Sequence, residues 1–144
     1  MTQEQKDLLL KDLCARLPYG VKVKFGDSEP TLLTVIEHNE FGWQIGSEDE
    51  FGGMITIIDN VKPYLFPLSS ITDELWDKEF MGCGITEFTR DSFKYSCETL
   101  EFNNSNPNLL SMVRFINQLI KNHFDIYGLI PMGLANDATG LNIY

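Results

Sequence analysis

"RLPYGVKVKF", Arg16–Phe25, is the stretch in which the periodicity of the chain changes. Upstream of it Leu9, Leu10, Leu13 and Leu17 fall on one helical face, with Lys6, Asp7, Lys11 and Asp12 on the other. Thr2 followed three residues later by Gln5 is a capping-box pair and opens this helix. Pro18 and Gly20 stop it. From Val21 onward apolar and basic residues alternate, the pattern of a half-buried strand with Lys22 and Lys24 facing water. A helix running directly into a sheet makes the class α+β.

Outward from that corner the strand signals continue. "TLLTVIEH" (Thr31–His38) is rich in β-branched residues and follows the turn-like "GDSEP". "NEFG" is a tight connection into "WQIG", and after the acidic loop "SEDEFGG" comes "MITIID" (Met54–Asp59). "VKPYLFPLS" (Val61–Ser69) reads as extended, and its two prolines suit an edge or a bulge better than a central strand. Short strands joined by tight turns predict an antiparallel meander. A sheet this small curls strongly, so an SH3-like small barrel is the expected form and a flat sheet with helices on one face the alternative.

The second half reads as mainly helical. In "SSITDELWDKEF" (Ser69–Phe80) Thr72 is a suitable N-cap, and Asp73 and Glu74 sit where the helix dipole favours acids. "MGCG" ends that helix, and residues 85–102 read as a short hairpin. "NNSNPNLLSMVRFINQLIKNHF" (Asn103–Phe124) predicts a long helix capped by Asn106, with Pro107 in its first turn. Its stripe of Leu109, Val113, Ile116, Leu119 and Ile120 makes it the expected central helix of the core. One domain over 1–144 follows, with a helix plus β-meander in 1–70 and a mainly helical half in 71–144 that carries an apolar C-terminal tail. Ile126, Tyr127, Leu129, Ile130, Met132, Leu134, Leu141, Ile143 and Tyr144 are too much apolar surface to leave wet. At about 25 cal/mol per Å2, burying several of them contributes several kcal/mol. The sheet or the long helix of the same chain is the expected cover, with a homo-oligomer or another protein as alternatives.

Composition narrows the function. With 144 residues, 43% hydrophobic and 12% aromatic, the chain can bury a core without metal or disulfide staples. Its net charge of -10 repels phosphate backbones and argues against direct nucleic-acid binding. The charge is uneven. Between Lys24 and Lys62 there is no Lys or Arg, yet the interval holds Asp27, Glu29, Glu37, Glu40, Glu48, Asp49, Glu50 and Asp59. A solvated face is the plain reading; a surface for a basic partner, or an imitation of nucleic acid, is the sharper one. Three cysteines (Cys14, Cys83, Cys97) without framework spacing, and the lack of a leader-like N-terminal run, point to reduced thiols in a cytoplasm. No apolar stretch approaches the roughly 18–20 residues needed to span a bilayer, so no membrane association is expected.

Catalytic signatures are scarce. His38 ends a strand, and His123 ends the long helix with Asp125 two residues on. Such a pair can orient an imidazole, but catalysis also needs a nucleophile or a metal in reach. The cysteines lack ligand spacing for zinc. "MGCG" lacks the rest of a phosphate loop, and Asn136, Asp137 and Gly140 lack the alternation and closing Glu of a calcium loop. Three acids in "SEDE" are ordinary exposed charge, and the sequon at Asn103 is fortuitous. The chain reads as a non-enzyme without cofactor or metal.

Three blocks, "LCARLPYGVKVKF", "VKPYLFPLSSIT" and "HFDIYGLIPMGLANDATGLNIY", together resemble a set of small uncharacterised proteins of gut Bacteroidetes genomes, their phages and their mobile elements. The resemblance implies a bacterial or phage cytoplasm and no particular activity. In that set an arginine often stands at the position of Phe66 and another near Ile126, so no binding residues carry over. Two functions are therefore expected of this chain. The first is a small protein-interaction domain using Phe41, Trp43, Glu48, Asp49, Glu50 and Phe51; the second is an acidic phage- or element-encoded inhibitor that mimics nucleic acid.

Overall fold

A computed structural model describes residues 1–48, 53–80 and 109–144. Helix α1 (Gln3–Arg16) opens on the expected capping box: the Gln5 amide donates to Thr2 Oγ1, and the Thr2 amide to Gln5 Oε1. It tightens into a 3-10 turn over Leu17–Tyr19 and ends at Gly20, whose φ of +72° is the left-handed conformation glycine adopts without strain. The chain then enters β1 (Lys22–Phe25), with Val23 and Phe25 buried and the two lysines half-buried.

The strands form two sheets. In the first the order is β2 (Thr31–Leu32), β1, β6 (Val61–Leu65), β7 (Asn136–Asp137). β1 pairs antiparallel with β2 and with β6, whereas β7 lies parallel to β6. The second sheet is a meander of β3 (Val35–Asn39), β4 (Gly42–Ser47) and β5 (Met54–Ile57). It is an excursion between β2 and β6, after which a 3-10 turn at Ile58–Asn60 returns the chain beside β1. The class is α+β as the sequence implies, but neither sheet closes among the described residues, so the strand ladders do not draw a barrel.

Two expectations need correction. β6 is an interior strand despite Pro63, because β7 pairs on its far side. The proline is tolerated since that pairing starts only at Tyr64; at Pro63 itself β1 is the sole neighbour, and no ladder bond is required on the other side. The long helix, α3 (Leu109–Lys121), is not the centre of the core. Leu119 and Ile120 are buried, but Val113 is 46% and Ile116 42% exposed. Its last turn reaches the packed interior, and Phe115 before it packs against Trp76 and Phe80. Between the halves Thr72 caps a single α-turn, α2 (Asp73–Leu75), which widens into a π turn over Trp76–Phe80. The expected hairpin at 85–102 and the caps at Asn106 and Pro107 lie outside the described residues.

The apolar tail packs into its own chain. Leu129, Leu134 and Ala135 join the core built by Leu9, Leu13, Val21, Val23, Phe25, Ile45, Val61 and Leu65. A second cluster gathers Ile71, Phe80, Leu119 and Phe124, with Phe66, Trp76, Phe115 and Ile126 against it. Phe66 and Ile126 are thus apolar members of one cluster.

Candidate functional site

Among the described residues the most buried charged groups form a pair. Asp12 and Arg16 sit one helical turn apart on α1 and are 1% and 0% exposed. Arg16 Nε donates to Asp12 Oδ2 and Nη2 to Oδ1, both at 2.8 Å, a bidentate arrangement. The remaining guanidinium donors reach across the core to the carbonyls of Ile120 at 3.2 Å and Phe124 at 2.6 Å. The first residue of that pair reads in the sequence as part of the wet face of α1; the structure places it inside. Burial pushes the Asp12 carboxyl up, and the hydrogen bonds and charge of Arg16 pull it down. Arg16 thereby ties α1 to the end of α3, where the last carbonyls of the helix lack intrahelical donors.

Around that anchor the end of α3 is rebuilt by side chains. His123 turns the chain with φ +60° and is buried. Burial, and then the nearby Arg16 cation, hold its pKa down at about 4, against a hydrogen bond that the imidazole donates to the Tyr19 backbone, which raises it. Its Nδ1 has no hydrogen-bond partner, and its ring stacks on Tyr144 with centroids 4.2 Å apart. Asp125 does not orient this imidazole. Its carboxylate accepts instead from the amides of Leu129 at 2.8 Å and Ile130 at 2.9 Å, fixing the turn that drops the tail into the core. Tyr144 Oη accepts from the Lys22 amide at 3.0 Å and donates to the Tyr64 carbonyl at 2.7 Å. The β1–β6 register ends at Val23 and Pro63, so the next rung is relayed by this hydroxyl. Although the residue is 44% exposed, its hydroxyl is enclosed between strands, and that burial raises its pKa to about 12 against the pull of the Lys22 amide. All of these groups hold the fold.

The predicted interaction residues are elsewhere, and the structure separates them. Phe41 stands in the β3–β4 turn, 77% exposed, where the Asn39 side chain accepts the Phe41 amide. Trp43 follows on β4, 41% exposed and edge-on to His38 at 5.0 Å. Glu48 lies at the other end of the same unbroken strand, its amide bonded to Thr34 Oγ1 at 2.7 Å. At about 3.3 Å per residue, β4 puts those two ends roughly 20 Å apart, so Phe41 and Glu48 do not form one cluster. Asp49, Glu50 and Phe51 lie outside the described residues.

What the sequence reading missed is the rest of that sheet. Direct cross-strand partners share a face, so Ile36, Ile45 and Thr56 look to the core, and Val35, Gly46 and Ile55 look away from it. On the outer face Ile55 is 51% and Ile57 45% exposed. Gly46 lets Ile55 lie across β4: a Cβ at that glycine comes within 3.0 Å of Ile55 Cγ1 and 2.9 Å of the Met54 carbonyl. The available signal is the strand itself, "MITI", apolar at three of four positions with no charge.

Other surfaces offer less. An open depression is lined by Tyr19, Lys78, Glu79, Arg114, Gln118 and Lys121, and Glu79 already lies 3.6 Å from Lys78 and 3.7 Å from Lys121. Among the described residues no group of three His, Cys, Asp or Glu is placed to hold a metal, and no helix is long and apolar enough to cross a membrane. Cys14 is a free thiol at the surface. The molecule is thus an α+β protein with an internally tied core and one exposed small sheet. No protein-family model matches the chain, and neither a curated protein nor a solved structure matches it significantly.

Proposed function

We propose that the chain is a non-enzymatic, cytoplasmic protein-interaction domain of bacterial or phage origin that meets its partner through the β3–β4–β5 sheet. The observation that carries this reading is the exposure of Ile55 and Ile57, 51% and 45%, side by side on the outer face of the sheet; Phe41, in the turn, and Trp43 and Met54, on the other face by register, are also more than two-fifths exposed. Apolar surface of this kind, rimmed by exposed Glu37, Glu40 and Glu48, is typical of contact sites rather than of free surface. Among the described residues the buried titratable groups hold α1, α3 and the tail together, and the outer face of this sheet takes no part in that.

A second reading shares the surface. The absence of any Lys or Arg between Lys24 and Lys62 favours an acidic inhibitor that imitates nucleic acid for a basic protein. One experiment tests both. Tagged wild type, a Phe41→Ser, Ile55→Lys variant and a charge reversal at Glu48, Asp49 and Glu50 are used to capture partners from nuclease-treated bacterial lysate at low and moderate salt. A partner held at moderate salt and lost only with the apolar variant supports the interaction domain. A basic, DNA-handling protein lost with salt and with charge reversal supports the mimic. The same proteins captured by all three baits would sink both.

A further inference from the structure

We infer that the free edge of β5 is a strand-addition site for an extended, basic segment of another protein, one that alternates apolar residues with lysine or arginine. This rests on the interaction-domain reading and specifies its contact. The two edges of the small sheet are built differently. β3, at one edge, carries Glu37, His38 and Asn39, all exposed, the polar character that discourages pairing. β5, at the other, is Met54, Ile55, Thr56 and Ile57, with no charge and no proline. Among the described residues it pairs with β4 alone, and no backbone hydrogen bond joins its outer side to any of them. An edge of this kind presents unpaired N–H and C=O groups beside apolar side chains, and an added strand satisfies both at about 4.8 Å spacing.

Charge selects the occupant. The whole sheet lies within the interval that has eight acids and no Lys or Arg, and Glu37, Glu40 and Glu48 are exposed on it. Asp59, just past β5, is engaged by Lys6 at 2.6 Å. A second copy of this chain brings the same acidic sheet and the same net charge of -10, which opposes edge-to-edge pairing of two β5 strands. A basic apolar strand meets no such repulsion, and its approach is steered by the field of the sheet. Ile55 and Ile57 then cover its apolar side chains on the outer face, and main-chain bonds to β5 fix the register.

The test uses the full chain and two short synthetic peptides, one alternating lysine with valine and one alternating glutamate with valine. Binding is read by fluorescence anisotropy, and amide hydrogen exchange locates it. The expected result is saturable binding of the lysine peptide, slowed exchange at Met54–Ile57, and no binding of the glutamate peptide. Ile55→Lys with Ile57→Lys weakens the lysine peptide roughly tenfold or more. Moderate salt weakens it without abolishing it, since main-chain bonds persist. Equal binding of both peptides, absence of binding, or slowed exchange confined to other strands would each overturn the proposal. The exchange measurement needs no variant, so it decides even where a substitution disturbs folding. If the lysate partner is lost with the apolar variant while β5 amides stay unprotected by the peptide, strand addition fails and the interaction-domain reading stands. If lysate capture is also indifferent to the variant, both fall.

Discussion

The two sheets of this molecule face the same solvent with opposite solutions. The four-stranded sheet is covered on its core face by parts distant in sequence, α1 and the tail's Leu129, Leu134 and Ala135, and has the Tyr144 hydroxyl within its ladder. The three-stranded sheet shares the core through Ile36 and Ile45 and leaves its outer face open. Closure of the first sheet comes from polar groups placed where apolar packing alone leaves backbone atoms unpaired. Openness of the second follows from a meander whose strands contact one another and little else. Stability should therefore concentrate in the first region and contact function in the second.

The largest effect that comparison predicts is loss of the tail. Deleting Asp125–Tyr144 removes β7, the Asp125 turn and three core residues at once. No cooperative thermal transition is expected, and a truncated protein that melts like the parent would mean that the tail covers nothing the fold needs. Next is Arg16→Ala. It leaves Asp12 buried without its cation and takes one donor from each of the Ile120 and Phe124 carbonyls, a loss of about 3–5 kcal/mol by denaturant unfolding. Asp12→Leu with Arg16→Met should lose less than Arg16→Ala alone, because no unpaired charge remains inside. A double variant worse than the single would show that the pair, rather than the orphaned carboxylate, dominates.

These predictions also mark what was readable. The capping box, the helix-to-strand corner at Pro18 and Gly20, and the strands through Leu65 were legible because their signals are local and periodic. The Asp12–Arg16 pair was not. A charged residue on a short amphipathic helix reads as solvated, and only the partner carbonyls more than a hundred residues away make its burial tolerable. β7 was missed for a related reason: two residues have no period, and its pairing with Tyr64 and Leu65 is long-range. Of the proposed surface, Phe41 and Trp43 stand out in the sequence by aromatic content, whereas Ile55 and Ile57 read as ordinary strand. Their exposure depends on β5 ending the sheet, which spacing alone does not specify.

Acid should unlock the sealed region before the open one. His123 has a folded pKa of about 4 against an ordinary 6.5, so the unfolded chain takes up a proton that the folded protein refuses. Its contribution is complete above about pH 6.5, declines as pH falls toward 4, and at about 1.4 kcal/mol per unit is at most about 3 kcal/mol. Asp12 works in the opposite sense at the lower end. Its raised pKa means that the folded protein binds that proton first, so stability it costs at neutral pH is recovered as pH falls through its folded value toward the ordinary carboxylate value of 3.8. His123→Phe keeps a ring against Tyr144 and removes the titration. Unfolding free energies measured from pH 7 to 4 should therefore fall more steeply for the parent than for this variant, and identical slopes would remove His123 from the account. A smaller effect is expected from Tyr144→Phe, which leaves the Lys22 amide and the Tyr64 carbonyl without the relay and lowers stability by about 1–2 kcal/mol.

The smallest effect is the most informative about the division between the sheets. Ile55→Lys with Ile57→Lys adds two cations to a strand that carries no charge and removes apolar side chains already half in water. Their aliphatic stems can lie where the isoleucines lay, and the new charges relieve some of the repulsion among Glu37, Glu40 and Glu48. The lost transfer energy and the lower strand propensity of lysine oppose that relief, so the unfolding free energy should change by less than about 1 kcal/mol. A change of several kcal/mol, comparable with Arg16→Ala, would mean that the outer face of the small sheet is a structural surface after all. A near-zero change together with lost peptide binding would place stability and recognition in different sheets.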